Sequence, residues 1–207
     1  MTASSTFTLG SILFDVPWSW GGAGENRIQF NADGTGSLYC GAGFTRLIAA
    51  NFFWTTPDRQ QLEKSIDMSI KRESRTTVAM AELHMQITLT TARPPGHDFS
   101  MLNEYHVRET AFGSKNFTVR IEKGAFLEQQ HKRLARGSIP PLARYSWRLV
   151  FDKSPMPPYG DWKEESLRYV EYAQLWDCTE FVNHPILRRP GARSQYGQAQ
   201  TRQCIIL

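Results

Sequence analysis

Apolar and polar residues alternate along most of this chain, and such alternation is typical of β-strands. In "ELHMQITLT", four apolar residues from Leu83 to Leu89 alternate with three polar residues from His84 to Thr88. Strands with this pattern are predicted at 27–30, 46–54, 65–70, 83–89, 105–108, 117–122 and 145–151. Each has one apolar and one polar face, as antiparallel strands with one solvated face do.

Turn residues separate these strands. Asn31-Ala32-Asp33-Gly34 supplies turn formers between two alternating runs, and Gly34 is free to adopt a positive φ. This stretch predicts a β-hairpin. About eight short strands at close spacing indicate an all-β barrel or sandwich.

One segment favours a helix. "DWKEESLRYVEYAQLW" has Asp161 as a candidate cap and places Leu167 and Val170 on one face. The "WDCTEFV" that overlaps its end is equally compatible with a strand. We predict a single domain over residues 1–184 and a flexible, basic tail over 185–207.

Charge and cysteine content narrow the class of protein. The net charge of +4 comes from four arginines after Asn183, because the rest of the chain carries 20 basic and 20 acidic residues. A basic nucleic-acid-binding body is therefore not expected. No stretch reaches the roughly 20 apolar residues of a membrane span, and no signal peptide is recognised. Three cysteines favour a reducing, intracellular location over a disulfide framework.

Three stretches resemble fungal lipocalin-like (calycin) proteins: "WSWGGAGENRIQFNADGTGSLYCG", "FTVRIEKG" and "LVFDKSP". The resemblance runs from Trp18 to about Asp152, although the usual Gly-x-Trp is absent. It implies an antiparallel up-and-down barrel with at most one or two short helices and one lipophilic ligand inside. It also implies a floor tryptophan, Trp18 or Trp20, with Arg148 as a candidate to stack on it.

The same resemblance implies an activity. Fungal lipocalin-like proteins include pericyclic enzymes, of Diels–Alder and hetero-Diels–Alder type, that use no cofactor. The expected function is cyclisation of a polyketide or terpenoid intermediate, with Tyr105 and Tyr145 as hydrogen-bond donors. Core tyrosines with satisfied hydroxyls are the alternative for both. The residues expected to line the pocket are Trp20, Phe52, Trp54, Met85, Tyr105, Val119 and Trp147.

The opposite strand faces allow another site. If the polar faces pointed inwards, His84, Gln86, His106, Arg108 and Arg120 would form a polar pocket. We favour the apolar faces as the interior. The five histidines lack the spacing of metal ligands, so no metal site is expected. Glycine-loop and nucleophile-elbow motifs are also absent.

The chain ends in "QCIIL", which matches a C-a-a-X prenylation box with Cys204 as the lipidated residue. Upstream arginines would add the second signal that stable attachment to a membrane surface needs. An unmodified tail is the alternative. Two further functions therefore stay open: a lipophilic carrier, and a prenylated interaction module without a pocket. A barrel filled by its own side chains would exclude the enzyme and the carrier.

Overall fold

The computed structural model describes residues 7–21, 26–42, 45–66, 77–96, 102–129 and 143–186. Eight antiparallel strands form a closed barrel in which each strand pairs with its neighbours in the chain and the last pairs with the first. The strands are β1 (Trp18–Ser19), β2 (Arg27–Phe30), β3 (Thr35–Ala42), β4 (Thr45–Thr55), β5 (Val78–Leu89), β6 (Ser114–Phe126), β7 (Tyr145–Phe151) and β8 (Glu180–Pro185). The prediction of an all-β, up-and-down barrel is confirmed.

The predicted hairpin joins β2 to β3. Asn31 N–H donates to Thr35 O, and Asp33 Oδ1 accepts from both the backbone N–H and the hydroxyl of Thr35. These hydrogen bonds lower the pKa of Asp33. Gly34 adopts the expected positive φ, at 87°. The turn therefore sets the register of the strands that begin the barrel.

The apolar strand faces point into the barrel. On β5, Leu83 and Met85 are buried, whereas His84 and Gln86 are exposed. His84 pairs with Asp58 at 3.2 Å on the outside. The alternative of an inward polar pocket is wrong for His84, Gln86, Arg108 and Arg120, which are all exposed. His106 is buried outside the strands, where its Nδ1 lies 2.7 Å from Ser166 Oγ.

Three short α-helices occur among the described residues: α1 (Leu9–Asp15), α2 (Arg59–Leu62) and α3 (Glu164–Ala173). α1 begins with a capping box in which Thr8 and Ser11 bond reciprocally. α3 is the helix that the sequence predicts, but Lys163 occupies its N-cap. Asp161 lies in a preceding 3₁₀ turn, where it accepts from Thr110 Oγ1.

The strand predicted at 105–108 is wrong. Two 3₁₀ turns, Asn103–Tyr105 and Glu109–Phe112, occupy this region. Asn103 has a φ of 52°, and its side chain bonds to both backbone polar groups of Ala49 on β4. This long-range contact holds the segment against the outside of the barrel. The predicted strand at 65–70 and the basic tail fall largely or wholly outside the described residues.

Asn103→Ala should lower the free energy of unfolding by about 2 kcal/mol or more. The change leaves the buried N–H and C=O of Ala49 without their partner and places alanine at a positive φ. Urea unfolding followed by tryptophan fluorescence measures it. Asn116→Ala, on the exposed face of β6, is the matched control and should shift stability by no more than about 0.5 kcal/mol. Equal effects of the two changes would contradict the role given to Asn103.

Candidate ligand-binding site

The inner wall of the barrel is apolar and rich in aromatic rings. Five residues expected to line a pocket lie on it, each no more than 3% exposed: Phe52, Trp54, Met85, Val119 and Trp147. Ring pairs such as Phe30–Phe52, at 5.3 Å, and Phe151–Phe181, at 5.6 Å, fill space between the strands. Within the described ranges, the middle of the barrel is thus packed by its own side chains. A ligand therefore needs space beyond this packed region.

Helix α1 closes one mouth of the barrel. Its Leu13 carbonyl accepts from Trp18 Nε1 at 3.1 Å, and its Phe14 carbonyl accepts from Gln29 Nε2 at 3.5 Å. Asp15 Oδ2 lies 3.5 Å from His184 Nε2 at the end of β8. Leu9 and Leu13 are buried in the same core as the strands. α1 therefore acts as an apolar plug held by a few polar contacts.

A cavity of about 350 Å³ lies between α1, α2 and the barrel mouth. We call it the mouth cavity. Its apolar residues are Gly10, Phe14, Ala32, Trp54 and Leu62, and its polar residues are Thr8, Ser11, Arg59 and Glu63. This volume lies within the range of about 300–1,000 Å³ that small-molecule sites occupy. The mouth cavity contains Trp54, which the sequence predicts as a ligand contact.

Hydrogen bonds fix the aromatic part of the mouth cavity. Trp54 Nε1 donates to Asn31 O at 3.1 Å and to Thr35 O at 3.0 Å. The Phe14 ring packs 5.8 Å from the Trp54 ring. Since the indole N–H is already used by the backbone, Trp54 offers a ligand its ring and no donor. The β2–β3 hairpin therefore orients the ring that a ligand would contact.

Two charged side chains stand at the mouth cavity. Arg59 is exposed on α2, and Glu63 is the residue that follows this helix. In the part of the chain that the structure describes, neither has an ion-pair partner. The hydroxyls of Thr8 and Ser11 are engaged in the α1 capping box. Arg59 and Glu63 are therefore the groups best able to bind the polar part of a ligand.

A second cavity, of about 520 Å³, lies along β3 and β4. We call it the side groove. Phe53, which is 60% exposed, lines it together with Phe52, Tyr39, Pro94 and Pro95. Phe52 reaches across Gly36, where an added Cβ would come within 2.2 Å of the ring. The lining of the side groove combines apolar and uncharged polar side chains, and it has no charged side chain among the described residues.

The remaining predicted site residues lie elsewhere. Trp20 is buried and donates from Nε1 to Gln129 Oε1 at 3.2 Å. Tyr105 is 44% exposed on a 3₁₀ turn outside the strands. Tyr145 donates its hydroxyl to Glu128 Oε1 at 3.1 Å. The proposed roles of these residues towards a substrate stay predictions.

Arg148 does not stack on a floor tryptophan as the resemblance implies. Its guanidinium lies 4.4 Å from the centroid of the Phe126 ring and pairs with Glu122 at 2.6 Å and with Glu180 at 2.9 Å. The alternation of β7 directs Arg148 outwards because its neighbours Trp147 and Leu149 point inwards. The arginine thus links β6, β7 and β8 on the outer surface.

Sequence reasoning overlooked two polar residues on the inner face. Asn183 alternates with Phe181 on β8, and Lys123 alternates with Ile121 on β6. Both side chains are buried, and each is adjacent to Trp147 in the register of the strands. The strand period could have indicated them, because both occur at positions that the pattern assigns to the apolar face.

The described ranges contain neither a membrane-spanning helix nor a cluster of metal-ligating side chains. No helix there is long and apolar enough to span a bilayer. No three His, Cys, Asp or Glu side chains of these residues come together as a metal site would need. Cys40 and Cys178 are buried and are not joined in a disulfide, and burial raises the pKa of Cys40.

The chain matches no protein-family model, no curated protein and no solved structure. What the geometry defines is a closed antiparallel barrel with a plugged, partly polar mouth.

Tyr145→Phe should reduce the amount of folding stability that the protein loses as the pH rises above 10. Burial and the nearby negative charge of Glu128 raise the pKa of Tyr145 to about 12. The folded state therefore holds this proton more tightly than the unfolded state, whose tyrosine pKa is about 10. The resulting stabilisation is complete below pH 10 and is lost as the pH rises to about 12.

Urea unfolding at pH 8, 10 and 11.5 measures this effect. The wild type should lose more stability than Tyr145→Phe between pH 10 and 11.5. Tyr172→Phe is the control, because Tyr172 is 83% exposed, and it should follow the wild type. Parallel losses in all three proteins would contradict the interpretation.

Proposed function

We propose that the protein binds a lipophilic small molecule in the mouth cavity. The observation that carries this proposal is the juxtaposition of Trp54 and Phe14 with the charges of Arg59 and Glu63, which have no ion-pair partner among the described residues. Small-molecule sites commonly combine an apolar lining with a few polar groups that fix orientation. Each Å² of apolar surface that leaves water contributes about 25 cal/mol to binding. A ligand with an aromatic or polyene body and a polar end group matches this lining.

Cofactor-independent cyclisation of such a ligand is the second candidate function. The resemblance to fungal lipocalin-like pericyclases supports it, and so does the presence of a cation beside an aromatic ring in one cavity. A guanidinium that donates to a ligand carbonyl would polarise a conjugated diene or dienophile. The cavity would add catalysis by holding the reacting ends of a polyketide or terpenoid together. A carrier would return the same ligand unchanged, which separates the two functions.

Attachment to a membrane surface remains part of the proposal. It rests on the Cys204 box and the arginines before it, which lie outside the described residues. A geranylgeranyl group there would place an intracellular barrel beside the bilayer in which lipophilic compounds accumulate. Intact-mass measurement of the protein from a eukaryotic host tests this. A geranylgeranyl adduct that Cys204→Ser abolishes supports it, and an unmodified mass contradicts it.

Arg59→Ala should weaken binding of 1-anilinonaphthalene-8-sulfonate about tenfold, because it removes a charge-assisted contact to the sulfonate. Trp54→Phe should weaken binding through loss of ring area. Fluorescence titration measures both dissociation constants, and thermal unfolding of each variant verifies that it remains folded.

Phe53→Ala is the control that separates the two cavities. Phe53 lies beside Trp54 in sequence but lines the side groove. Binding of the probe should be unchanged in this variant. Weakened binding in Phe53→Ala with normal binding in Arg59→Ala would move the site to the side groove and contradict the proposal. Absence of binding by the wild type would favour an interaction module instead.

A further inference from the structure

Among the described residues, Asn183 has no hydrogen-bond partner although it is almost completely buried. Its side chain is 3% exposed, and neither its Nδ2 nor its Oδ1 is bonded. Buried polar groups in folded proteins are nearly always paired, because they lose their bonds to water on burial. An apolar residue at this strand position would pack without losing hydrogen bonds to water. The presence of an unbonded amide here therefore needs an explanation. Binding of a partner that is absent from the closed barrel is one such explanation.

The register of the strands places Asn183 on the inner wall. Asn183 lies opposite Trp147 on β7, which is an inward, buried position. The adjacent Val182 lies opposite Arg148, whose side chain points outwards. Because successive strand residues point to opposite faces, the amide of Asn183 points into the barrel.

A second polar group lies in the same row. Lys123 lies opposite Trp147 on its other side, and its Nζ is 5.7 Å from the centroid of the indole ring. Lys123, Trp147 and Asn183 thus form a polar–aromatic–polar row across three strands. The rows towards the middle of the barrel, such as Ile121, Leu149 and Phe181, are wholly apolar. The polarity is confined to the end of the wall that α1 covers.

The last turn of α1 lies over this end of the wall. Ser19 pairs with Val182, so the antiparallel register sets Trp18 opposite Asn183. Trp18 is bonded to the carbonyl of Leu13 on α1. Asp15, at the end of α1, lies beside His184, the residue that follows Asn183. Displacement of α1 would therefore expose the region around Asn183 and vacate the volume that Leu13 fills.

We propose that Asn183 is the polar anchor of a ligand site inside the barrel, which opens when α1 leaves the mouth. A carboxamide presents an acceptor and a donor side by side. Its complement is a ligand group with a donor and an acceptor side by side: an amide, a lactam or a carboxylic acid. This site goes beyond the proposed function, because α1 itself lines the mouth cavity and the interior site opens only when α1 leaves. The apolar body of the ligand would replace Leu13 and its neighbours on α1.

A pair of matched probes tests the anchor. Decanamide offers both a donor and an acceptor, whereas methyl decanoate has an acceptor only. The wild type should bind decanamide at least about tenfold more tightly, the factor expected from one additional buried hydrogen bond. Asn183→Leu should bind both probes with similar affinity. Equal affinities in the wild type, or binding of neither probe, would overturn the anchor, whereas the proposed function is tested separately by binding of 1-anilinonaphthalene-8-sulfonate in the mouth cavity.

The melting temperature of Asn183 variants without ligand tests the proposal independently. Asn183→Leu replaces an unpaired amide with an apolar group of similar size, so its melting temperature should rise by about 3 °C. Asn103→Leu is the control, because Asn103 is buried with its amide fully bonded, and its melting temperature should fall. A lower melting temperature in Asn183→Leu would show that the amide serves the fold and would overturn the proposal.

A disulfide between α1 and α2 tests whether the ligand enters the barrel past α1. A Cβ at Gly10 would lie 3.5 Å from Cβ of Leu62, within the span that a disulfide bridges. The double variant Gly10→Cys/Leu62→Cys should bind decanamide after reduction and lose at least about tenfold in affinity after oxidation. Gly10 and Leu62 also line the mouth cavity, so binding of 1-anilinonaphthalene-8-sulfonate is measured in both states and should persist. If the reduced and the fully oxidised double variant bind decanamide with equal affinity, entry of the ligand past α1 is overturned.

Discussion

The barrel depends on the closure between its first and last strands. β1 contains only two residues, and Ser19 opposite Val182 is its pairing with β8. Polar side chains reinforce this seam from outside the strands. Gln129 accepts at one oxygen from Trp20 Nε1 and from the backbone N–H groups of Thr179 and Glu180. Without closure, the apolar wall would have an open edge and Trp18 would lose its place opposite β8.

Closure also explains where a ligand can bind. An eight-stranded barrel is just wide enough to be filled by side chains or to hold one small molecule. Here side chains fill the middle rows of the described strands, and two cavities lie at the plugged mouth and along β3 and β4. The mouth combines aromatic rings, unpaired charges and a helix held by few polar contacts. We therefore infer that a ligand binds at the mouth.

Local periodicity predicts most of the barrel but little of its mouth. Leu83, Met85, Val119 and Trp147 were identified as inward residues because a strand period of two follows from backbone geometry alone. The pattern at 105–108 predicts a strand where the structure has 3₁₀ turns, since the position of this segment depends on the bonds of Asn103 to Ala49, more than fifty residues earlier. The sequence does not predict α1, because seven residues are too few to show a helical period of apolar positions. The mouth cavity joins these distant elements, so no single stretch of sequence encodes it.

The close approach of Phe52 to Gly36 has a consequence for how the molecule can change. The ring occupies the place that any side chain at position 36 would need. The side chains at positions 36 and 52 therefore compete for the same space. A larger side chain at one position requires a smaller side chain at the other. Natural variation at this pair should be correlated rather than independent. Because the Phe52 ring points into the barrel and packs on Phe30, such a compensated exchange would repack the inner wall while leaving the strand order intact.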